Sequence, residues 1–247
     1  MSGRRVTTTE QQAVERVLVV VAHPDDVDFG AAGTIASWTA AGTRVSYCLV
    51  TDGDAGGFDP DVPRGQIAGI RQAEQRAAAA ELGVDDLVFL GYPDGRLEPT
   101  IELRRDISRV IRQRRPQRVV TQSPERNWDR IYASHPDHLA AGSATVSAVY
   151  PDARNPFAHV DLAAEGHEAW TVEELWVMGG AGGTANRYID VTDTFQRKLA
   201  ALRAHVSQTS HMPDLEGFLR GWLQLNAAAA GLAEGRLAEA FRVVDTR

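Results

Sequence analysis

Two patterns of apolar and polar positions alternate along the chain, and together they predict alternating strands and helices. Short, continuous apolar runs predict buried strands, at Val17–Ala22, Arg44–Thr51, Leu87–Leu90, Arg118–Gln122 and Glu174–Met178. Stretches with helical spacing predict helices, at Gly30–Ala41, Gln66–Leu82, Thr100–Arg115, Thr194–Val206 and Leu215–Ala230. Apolar strands separated by helices are typical of a parallel sheet that is covered on both faces. We therefore predict an α/β fold: one doubly wound, mostly parallel, Rossmann-like sheet with helices on both faces and a C-terminal helical extension.

The chain shows no internal repeat and no linker that would divide it, so we expect a single domain over residues 1–247, with residues 1–16 as a flexible N-terminal segment. Its 247 residues are enough to bury a sizeable core. The net charge of -7 gives no reason to expect nucleic-acid binding. The N-terminus lacks an apolar signal core and no run is long enough to cross a membrane, so we expect a cytoplasmic protein.

Candidate chemistry lies at two places, each of which follows a predicted strand. The segment Ala22–Asp26 comes directly after the first strand, and His135–His138 comes after the fourth strand and an intervening loop. In doubly wound folds, ligands bind outside the carboxyl ends of the strands. A single His-Pro-Asp is more often a turn or a helix cap. Two such segments at strand ends favour a catalytic site in one crevice.

The residue types in these segments suit a metal hydrolase. A catalytic zinc commonly has three protein ligands and one open position. His135 and His138 are three residues apart at a predicted helix start, so both imidazoles lie on one side of it. His23 and Asp26 bracket a tight turn, and both can reach one ion. Asp25 would then lie beside the metal without binding it, where a carboxylate can transfer protons.

At these residues the chain resembles the LmbE-like, or PIG-L, family of zinc-dependent N-deacetylases, which act on N-acetylglucosaminyl compounds and related amides. The resemblance runs through Ala22–Ala36 and Ser134–His138, and its specific part is the pair of motifs at Ala22–Asp26 and His135–His138. Weaker similarity continues in order, through Val50–Gly57, Arg71–Val84, Phe89–Leu97 and Lys198–Gln208. The resemblance implies an enzyme that hydrolyses a linear amide, with Zn²⁺ as its cofactor. Other divalent transition metals stay open, because histidine–carboxylate sites accept several of them.

The resemblance also implies a role for each residue of the paired segments. His23, Asp26 and His138 would bind the metal. Asp25 would be the general base, and later the acid toward the leaving amine. His135 would stabilise the oxyanion of the tetrahedral intermediate, as an imidazolium.

Three further residues receive roles from the resemblance. Asp137 would orient and tune a neighbouring histidine from outside the metal shell. Arg71 and Asp94 match positions that contact sugar hydroxyls in the family. The residues themselves also allow a simpler interpretation, in which Arg71 is a solvated helix residue and Asp94 forms a turn.

The chain departs from the family pattern at two places. Many relatives carry Glu where Val27 stands, which leaves the metal ligands intact but alters their surroundings. Some sugar deacetylases have Tyr where Ala133 stands, and here Tyr132 is one position earlier. Lys198 and His205 are seven residues apart on one predicted helix face. They would either close the site from the C-terminal side or cap and pack that helix.

The leading hypothesis is a metal-dependent hydrolase that removes an N-acetyl or related N-acyl group from a small amino-sugar substrate. A close alternative is an amidase that acts on a larger thiol conjugate or an antibiotic-like amide. A dinucleotide-dependent oxidoreductase fits the sheet pattern but lacks the glycine-rich motif after the first strand. The loop Asp52–Gly57 suggests a non-catalytic calcium module, but the twelfth position is Pro63, where glutamate is required. The oligomeric state stays open, with a homo-oligomer as one option.

Overall fold

One eight-stranded sheet runs through the part of the chain that this computed structural model describes, which is residues 5–6, 14–128, 131–179 and 184–247. The strands in chain order are β1 (Arg5–Val6), β2 (Arg16–Val21), β3 (Arg44–Thr51), β4 (Asp86–Tyr92), β5 (Arg118–Thr121), β6 (Glu174–Met178), β7 (Arg187–Asp190) and β8 (Ala238–Asp245). Their order across the sheet is β1-β7-β8-β6-β5-β2-β3-β4.

The α-helices connect and cover these strands. In chain order they are α1 (Asp26–Ala40), α2 (Arg64–Glu81), α3 (Ile101–Arg114), α4 (Pro136–Ser147), α5 (Val160–Ala164), α6 (Phe195–Ala204), α7 (Val206–Thr209) and α8 (Leu215–Ala230). A 3₁₀ turn at Ile131–Ser134 precedes α4, and a π turn at Ala148–Asp152 follows it.

The neighbours of β2 determine where a ligand crevice forms. β2 pairs in parallel with β3 on one side and with β5 on the other. The chain runs outward from β2 through β3 to β4, and then returns across β2 to β5 and β6. The strand order therefore reverses beside β2, and such a reversal opens a crevice at the carboxyl ends of the strands. The predicted doubly wound, mostly parallel sheet is confirmed.

Alternate residues of β2 face opposite helical layers. Val17, Val19 and Val21 pack in a cluster that includes residues of α1, α2, α6 and α8. Leu18 and Val20 pack in a second cluster, with residues of α3 and α4. Because both faces of the strand are buried, its sequence is an unbroken apolar run rather than an alternating one.

The first helix begins earlier than predicted. α1 starts at Asp26, four residues before the expected Gly30. Asp25 takes a left-handed backbone conformation with a φ of 91°. Its carbonyl accepts hydrogen bonds from the N–H groups of Asp28 and Phe29, at 2.9 and 3.0 Å. The metal-ligand candidate Asp26 therefore belongs to the first turn of the helix and not to a preceding loop.

The C-terminal part differs most from the prediction. The predicted helix Thr194–Val206 breaks at His205, where ψ is 63°, into α6 and α7. Two strands, β7 and β8, were not predicted, and they pair antiparallel with one another. β8 also pairs antiparallel with β6 and lies between β6 and β7 in the sheet. The extension is therefore part helix and part strand.

The N-terminal segment contributes a short edge strand. Most of the predicted flexible segment, residues 1–4 and 7–13, lies outside the described residues. Between these parts, β1 pairs in parallel with β7. Among the helices of the described ranges, none combines the length and the apolar character that crossing a membrane requires.

Candidate active site

The two sequence segments meet at the carboxyl edge of the sheet, where the strand order reverses. His23 lies in the turn between β2 and α1, and His135 is the N-cap of α4. The ring of His23 lies 4.9 Å from that of His135 and 5.2 Å from that of His138, between ring centroids. The rings of His135 and His138 are 5.3 Å apart. Three imidazoles from distant parts of the chain therefore form one compact cluster.

Asp26 lies between two of these imidazoles. One carboxylate oxygen, Oδ2, is 3.3 Å from His23 Nδ1 and accepts the His23 backbone N–H at 2.6 Å. The other oxygen, Oδ1, is 3.0 Å from His138 Nε2. The side chain of Asp26 is about 90% buried, with 10% of it exposed. Two nitrogens and a carboxylate therefore converge from β2, α1 and α4.

Two further carboxylates hold the other side of the His23 ring. His23 Nε2 is 3.0 Å from Asp94 Oδ1 and 3.3 Å from Asp137 Oδ2. Asp137 is fully buried, and it accepts the backbone N–H groups of Gly95 and Leu97 at 2.7 and 3.2 Å. It thereby ties α4 to the loop after β4 and contacts a histidine, as its predicted orienting role requires.

The carboxylates around the histidine cluster favour positive charge there. Although burial lowers it, the carboxylates of Asp26, Asp137 and Asp94 raise the pKa of His23 to about 12. Burial also opposes the change at His138, yet Asp26 raises the pKa of that ring. Burial alone would raise the pKa of Asp26, but the two histidines hold it well below its usual range.

This donor set fits a divalent metal ion. A cation supplies the positive charge that the carboxylates favour, and imidazole and carboxylate ligands suit transition metals. Ligand atoms of His23, His135 and His138 lie within 4.8 Å of one another, and so do those of His23, Asp94 and Asp137. Asp137 already accepts two backbone hydrogen bonds. The better candidate ligands are therefore those on the Nδ1 side of His23, where Asp26 contacts both His23 and His138.

Asp25 is held apart from this cluster by its backbone and by two neighbours. Its N–H donates to Gln75 Oε1 at 2.8 Å, and its Oδ2 is 3.2 Å from Arg71 Nη2. Burial raises the pKa of Asp25 to about 6, against the lowering effect of Arg71. The left-handed conformation of Asp25 thus gives the two adjacent aspartates different partners.

The sequence did not reveal a buried polar network behind Asp25. Gln75 Nε2 donates to Asp28 Oδ2 at 2.8 Å, and His205 Nε2 is also 2.8 Å from that oxygen. Gln75, Asp28 and His205 are all fully buried. The network links α2 and α7 to the helix start that carries the two aspartates. The only sequence indication was the place of Asp28, two residues after Asp26.

Lys198 takes part in a second buried contact behind the site. Its Nζ is 2.7 Å from Glu239 Oε1 and donates to the carbonyls of Asp28 and Phe29 at 2.9 and 2.6 Å. Lys198 and His205 are both fully buried. Of the two predicted interpretations, the structure shows the packing one, because both residues hold α1 from behind rather than covering the crevice.

Arg71 and Asp94 lie at the site, as predicted, but they are largely engaged within the protein. Arg71 donates to the carbonyls of Pro24 and Gly53 at 2.5 and 3.2 Å and is 4% exposed. Asp94 contacts His23, accepts the N–H of Ala55 at 3.3 Å and is 7% exposed. Arg71 is therefore not a solvated helix residue. Direct contact of either side chain with a sugar stays a prediction.

His135 is the most exposed histidine of the cluster. Its Nδ1 accepts the N–H of Asp137 at 3.2 Å, so the neutral ring carries its proton on Nε2. Burial, together with the charges of His23 and His138, lowers the pKa of His135. The expected imidazolium is therefore disfavoured in the free protein, while the neutral ring still offers an N–H donor.

The two departures from the family pattern occupy different surroundings. Val27 is fully buried in the core cluster on the α1 side of the sheet. Tyr132 is 88% exposed, and both it and Ala133 line a cavity beside the site. Among the described contacts, Tyr132 makes no hydrogen bond to the histidine cluster.

The loop considered as a calcium site uses its acidic groups elsewhere. Asp52 Oδ1 accepts the amide of Gln72 at 3.0 Å. Asp54 accepts the N–H of Asp94 at 3.1 Å and lies 3.2 Å from Arg64 Nη2. Because these carboxylates are paired with protein donors, the loop acts as a support for the site.

A cavity of about 440 Å³ opens directly beside the cluster. Asp26 and His138 form part of its wall, and so do residues at the ends of β5, β6 and β8. Its volume lies in the range of small-molecule sites, roughly 300–1,000 Å³. The site can therefore receive a ligand group next to the candidate metal ligands.

Comparisons with known proteins agree with this geometry. Residues 18–149 match the family described as PIG-L, GlcNAc-PI de-N-acetylase. The chain is 34% identical to a diacetylchitobiose deacetylase of Thermococcus kodakarensis, over 94% of this chain and 84% of that protein. It is 31% identical to a 1D-myo-inositol 2-acetamido-2-deoxy-alpha-D-glucopyranoside deacetylase of Actinosynnema mirum, over 83% of this chain and 84% of that protein.

A solved structure extends the similarity to the whole fold. The N,N'-diacetylchitobiose deacetylase of Pyrococcus horikoshii, in complex with its inhibitor MPG, matches with a TM-score of 0.86 and 28% identity. The match covers 94% of this chain and 85% of that chain. The sequence and the fold are thus similar to those of deacetylases.

Proposed function

Because the chain belongs to the PIG-L family of GlcNAc-PI de-N-acetylases, we propose that it is a metal-dependent N-deacetylase, a hydrolase of the acetamide group of an amino sugar. The substrates after which the two relatives are named share a 2-acetamido sugar and differ in the group attached to it. The shared acetamido sugar is therefore the proposed reacting part of the substrate.

One observation carries the proposal. Asp26 contacts both His23 and His138, whereas the adjacent Asp25 lies against Arg71 and Gln75. A metal hydrolase needs this separation, because one carboxylate must bind the ion while another moves protons. We assign His23, Asp26 and His138 as the metal ligands, and zinc as the metal, because three nitrogen and oxygen ligands suit a catalytic zinc.

The bound ion would polarise the scissile carbonyl and make a water molecule a stronger nucleophile. Asp25 takes a proton from the attacking water while the water oxygen bonds to the carbonyl carbon. The C–N bond then breaks, and Asp25 returns the proton to the departing nitrogen, giving acetate and a free amine. His135 donates from Nε2 to the oxygen that becomes negative.

Three further residues position this machinery. Asp94 and Asp137 hold Nε2 of His23, which directs Nδ1 toward Asp26. Arg71 lies against the Asp25 carboxylate and the Pro24 carbonyl, and so fixes the turn. Direct contact of Arg71 and Asp94 with sugar hydroxyls is part of the same proposal.

A panel of N-acetylated amino sugars tests the function. N-acetylglucosamine, diacetylchitobiose and an N-acetylglucosaminyl inositol are incubated with zinc-loaded protein and with metal-stripped protein. We expect acetate and primary amine in equal amounts from at least one substrate, no product without metal, and recovery on adding zinc. Parallel samples with cobalt or iron(II) identify the preferred metal. Absence of acetate from every substrate, or equal rates with and without metal, would contradict the proposal.

Three broader expectations stay predictions. They are a single domain, a cytoplasmic location and an oligomeric state for which a homo-oligomer is one option. Light scattering of the purified protein measures the last of these.

A further inference from the structure

The cavity beside the metal-ligand cluster has mostly apolar walls. It begins at Asp26 and His138 and extends below α8 toward the ends of β6 and β8. Its apolar walls include side chains from α1, β6, the segment before α8, and α8 itself: Phe29, Met178, Met212, Phe218, Trp222 and Leu223. Such walls favour a ligand group whose apolar surface is removed from water on binding.

Three polar residues in the wall already make hydrogen bonds or an ion pair within the protein. Gln122 Oε1 accepts the N–H of Ala22 at 2.8 Å, and Asn226 Nδ2 donates to the carbonyl of Ala238 at 3.0 Å. The carboxylate of Glu239 is bound by Lys198 Nζ at 2.7 Å and by the N–H groups of α1. Part of the hydrogen-bonding capacity of these three residues is therefore already used, which makes them poorer partners for sugar hydroxyls, whereas a hydrocarbon chain needs no polar partner.

The position of Asp25 decides which end of the substrate faces this cavity. Asp25 returns a proton to the departing nitrogen, so the amine part lies on its side of the cluster. Asp25, Arg71 and Asp94 lie near the ends of β2, β3 and β4, and none of them lines the cavity. The cavity lies on the opposite side, over β5, β6 and β8. The group attached to the carbonyl carbon therefore points toward the apolar walls.

We propose that the apolar cavity binds the acyl chain of the substrate, and that the protein hydrolyses N-acyl amino sugars with chains from butanoyl to octanoyl faster than the N-acetyl compound. The inference rests on the proposed amide hydrolysis. Water adds to the carbonyl carbon, the C–N bond breaks, and the products are a fatty acid and the free amino sugar.

An acyl series on one amino sugar tests this directly. We compare kcat/KM for N-acetyl-, N-butanoyl-, N-hexanoyl- and N-octanoylglucosamine with zinc-loaded protein. Each buried methylene is expected to raise kcat/KM about fourfold until the cavity is full. In a second arm, the octyl glycoside of N-acetylglucosamine carries the same hydrocarbon on the sugar side. A larger gain from the octyl glycoside than from the acyl series overturns the assignment.

Substitutions on α8 test whether the effect of acyl-chain length on kcat/KM comes from the cavity. Phe218→Ala and Trp222→Ala are expected to lower the octanoyl-to-acetyl ratio of kcat/KM about tenfold, because each removes apolar wall area. Leu225→Ala is the matched control, since Leu225 is on the same helix, is 72% exposed and does not line the cavity. It should leave the ratio unchanged, and a ratio that is unchanged in all three variants contradicts the proposal.

The outcomes distinguish a failure of the acyl-chain inference from a failure of the proposed deacetylase function. If the protein cleaves the N-acetyl compound but gains nothing from longer chains, the deacetylase function stands and the acyl-chain inference is wrong. If no member of the series is cleaved, the proposed function itself is wrong.

Discussion

The crevice has two halves of opposite chemistry on either side of His23, Asp26 and His138. The polar half lies around the ends of β2, β3 and β4 and contains Asp25, Arg71, Asp94 and Asp137. Arg71 pairs with Asp25, and Asp94 and Asp137 both contact His23. The apolar half is the cavity over β5, β6 and β8.

The two halves should respond differently to substitution. In the polar half, each group satisfies a specific partner, so losing one leaves a buried polar atom without a hydrogen bond. In the apolar half, contacts are non-directional and their contributions scale with area. Substitutions in the polar half should therefore change the reaction or the metal site, whereas those in the apolar half should change which acyl group is preferred.

The largest expected effect comes from Asp25→Asn. The amide keeps the shape of the side chain but cannot accept a proton, and general acid–base catalysis typically contributes about 10²–10⁴-fold. We expect kcat to fall by that range while the bound zinc, measured by atomic absorption, stays at the wild-type level. Near-normal turnover with full zinc content would show that another group moves the protons.

Asp137→Asn should weaken metal binding. Asp137 contacts His23 at 3.3 Å and accepts two backbone hydrogen bonds. Loss of an outer carboxylate partner typically reduces metal affinity about 10–100-fold. Competition with a fluorescent zinc chelator measures the affinity, and Asp161→Asn on the exposed helix α5 is the control. Equal affinities for both variants would mean that Asp137 is only a loop anchor.

Gln75→Ala should lower the free energy of unfolding by about 1–3 kcal/mol, because it removes one hydrogen bond from each of two groups in the protein interior. These groups are the N–H of Asp25 and the carboxylate of Asp28. Urea unfolding measures the change. Gln66→Ala, on the exposed face of the same helix, should stay within about 0.5 kcal/mol of the wild type. Similar values for both variants would refute the importance of the buried network.

The smallest effect is expected in the apolar half, for Met178→Leu. This substitution nearly conserves volume, so the loss of stability should be below about 1.5 kcal/mol. Thermal unfolding measures stability, and the acetyl and octanoyl substrates report the cavity. A loss of kcat for both substrates that matches the Asp25→Asn variant would remove the distinction between the halves.

The sequence predicted elements that depend on local pattern. β3, β6 and α8 have the predicted bounds, because their apolar positions follow one period without interruption. β8 was missed because it combines buried Ala and Phe residues with Glu239 and Arg242. Glu239 is tolerated on a buried strand because Lys198 and two N–H groups of α1 pair with it, and these contacts join residues that are 41 or more positions apart.

For the site, too, the sequence predicted what depends on nearby residues and missed what depends on long-range contacts. His23, Asp26, His135 and His138 were found because each pair is close in sequence. Gln75 and His205 were not assigned to the support of Asp25, since they reach Asp28 from positions 47 and 177 residues away. No periodicity records a contact of that kind, which forms only when helices pack on the sheet.

The position of Glu239 has a consequence for the order of events during protein synthesis. Its carboxylate accepts the N–H groups of Gly33 and Thr34 on α1, at 3.0 and 2.8 Å. Gly33 and Thr34 leave the ribosome about 200 codons before Glu239 does, since the contacts join positions 206 and 205 residues apart. Until β8 emerges, β6 keeps an open edge on that side and α1 lacks the hydrogen bonds from its Gly33 and Thr34 N–H groups to Glu239. The nascent enzyme should therefore remain inactive, and dependent on protection from aggregation, until almost all of the described chain has been translated.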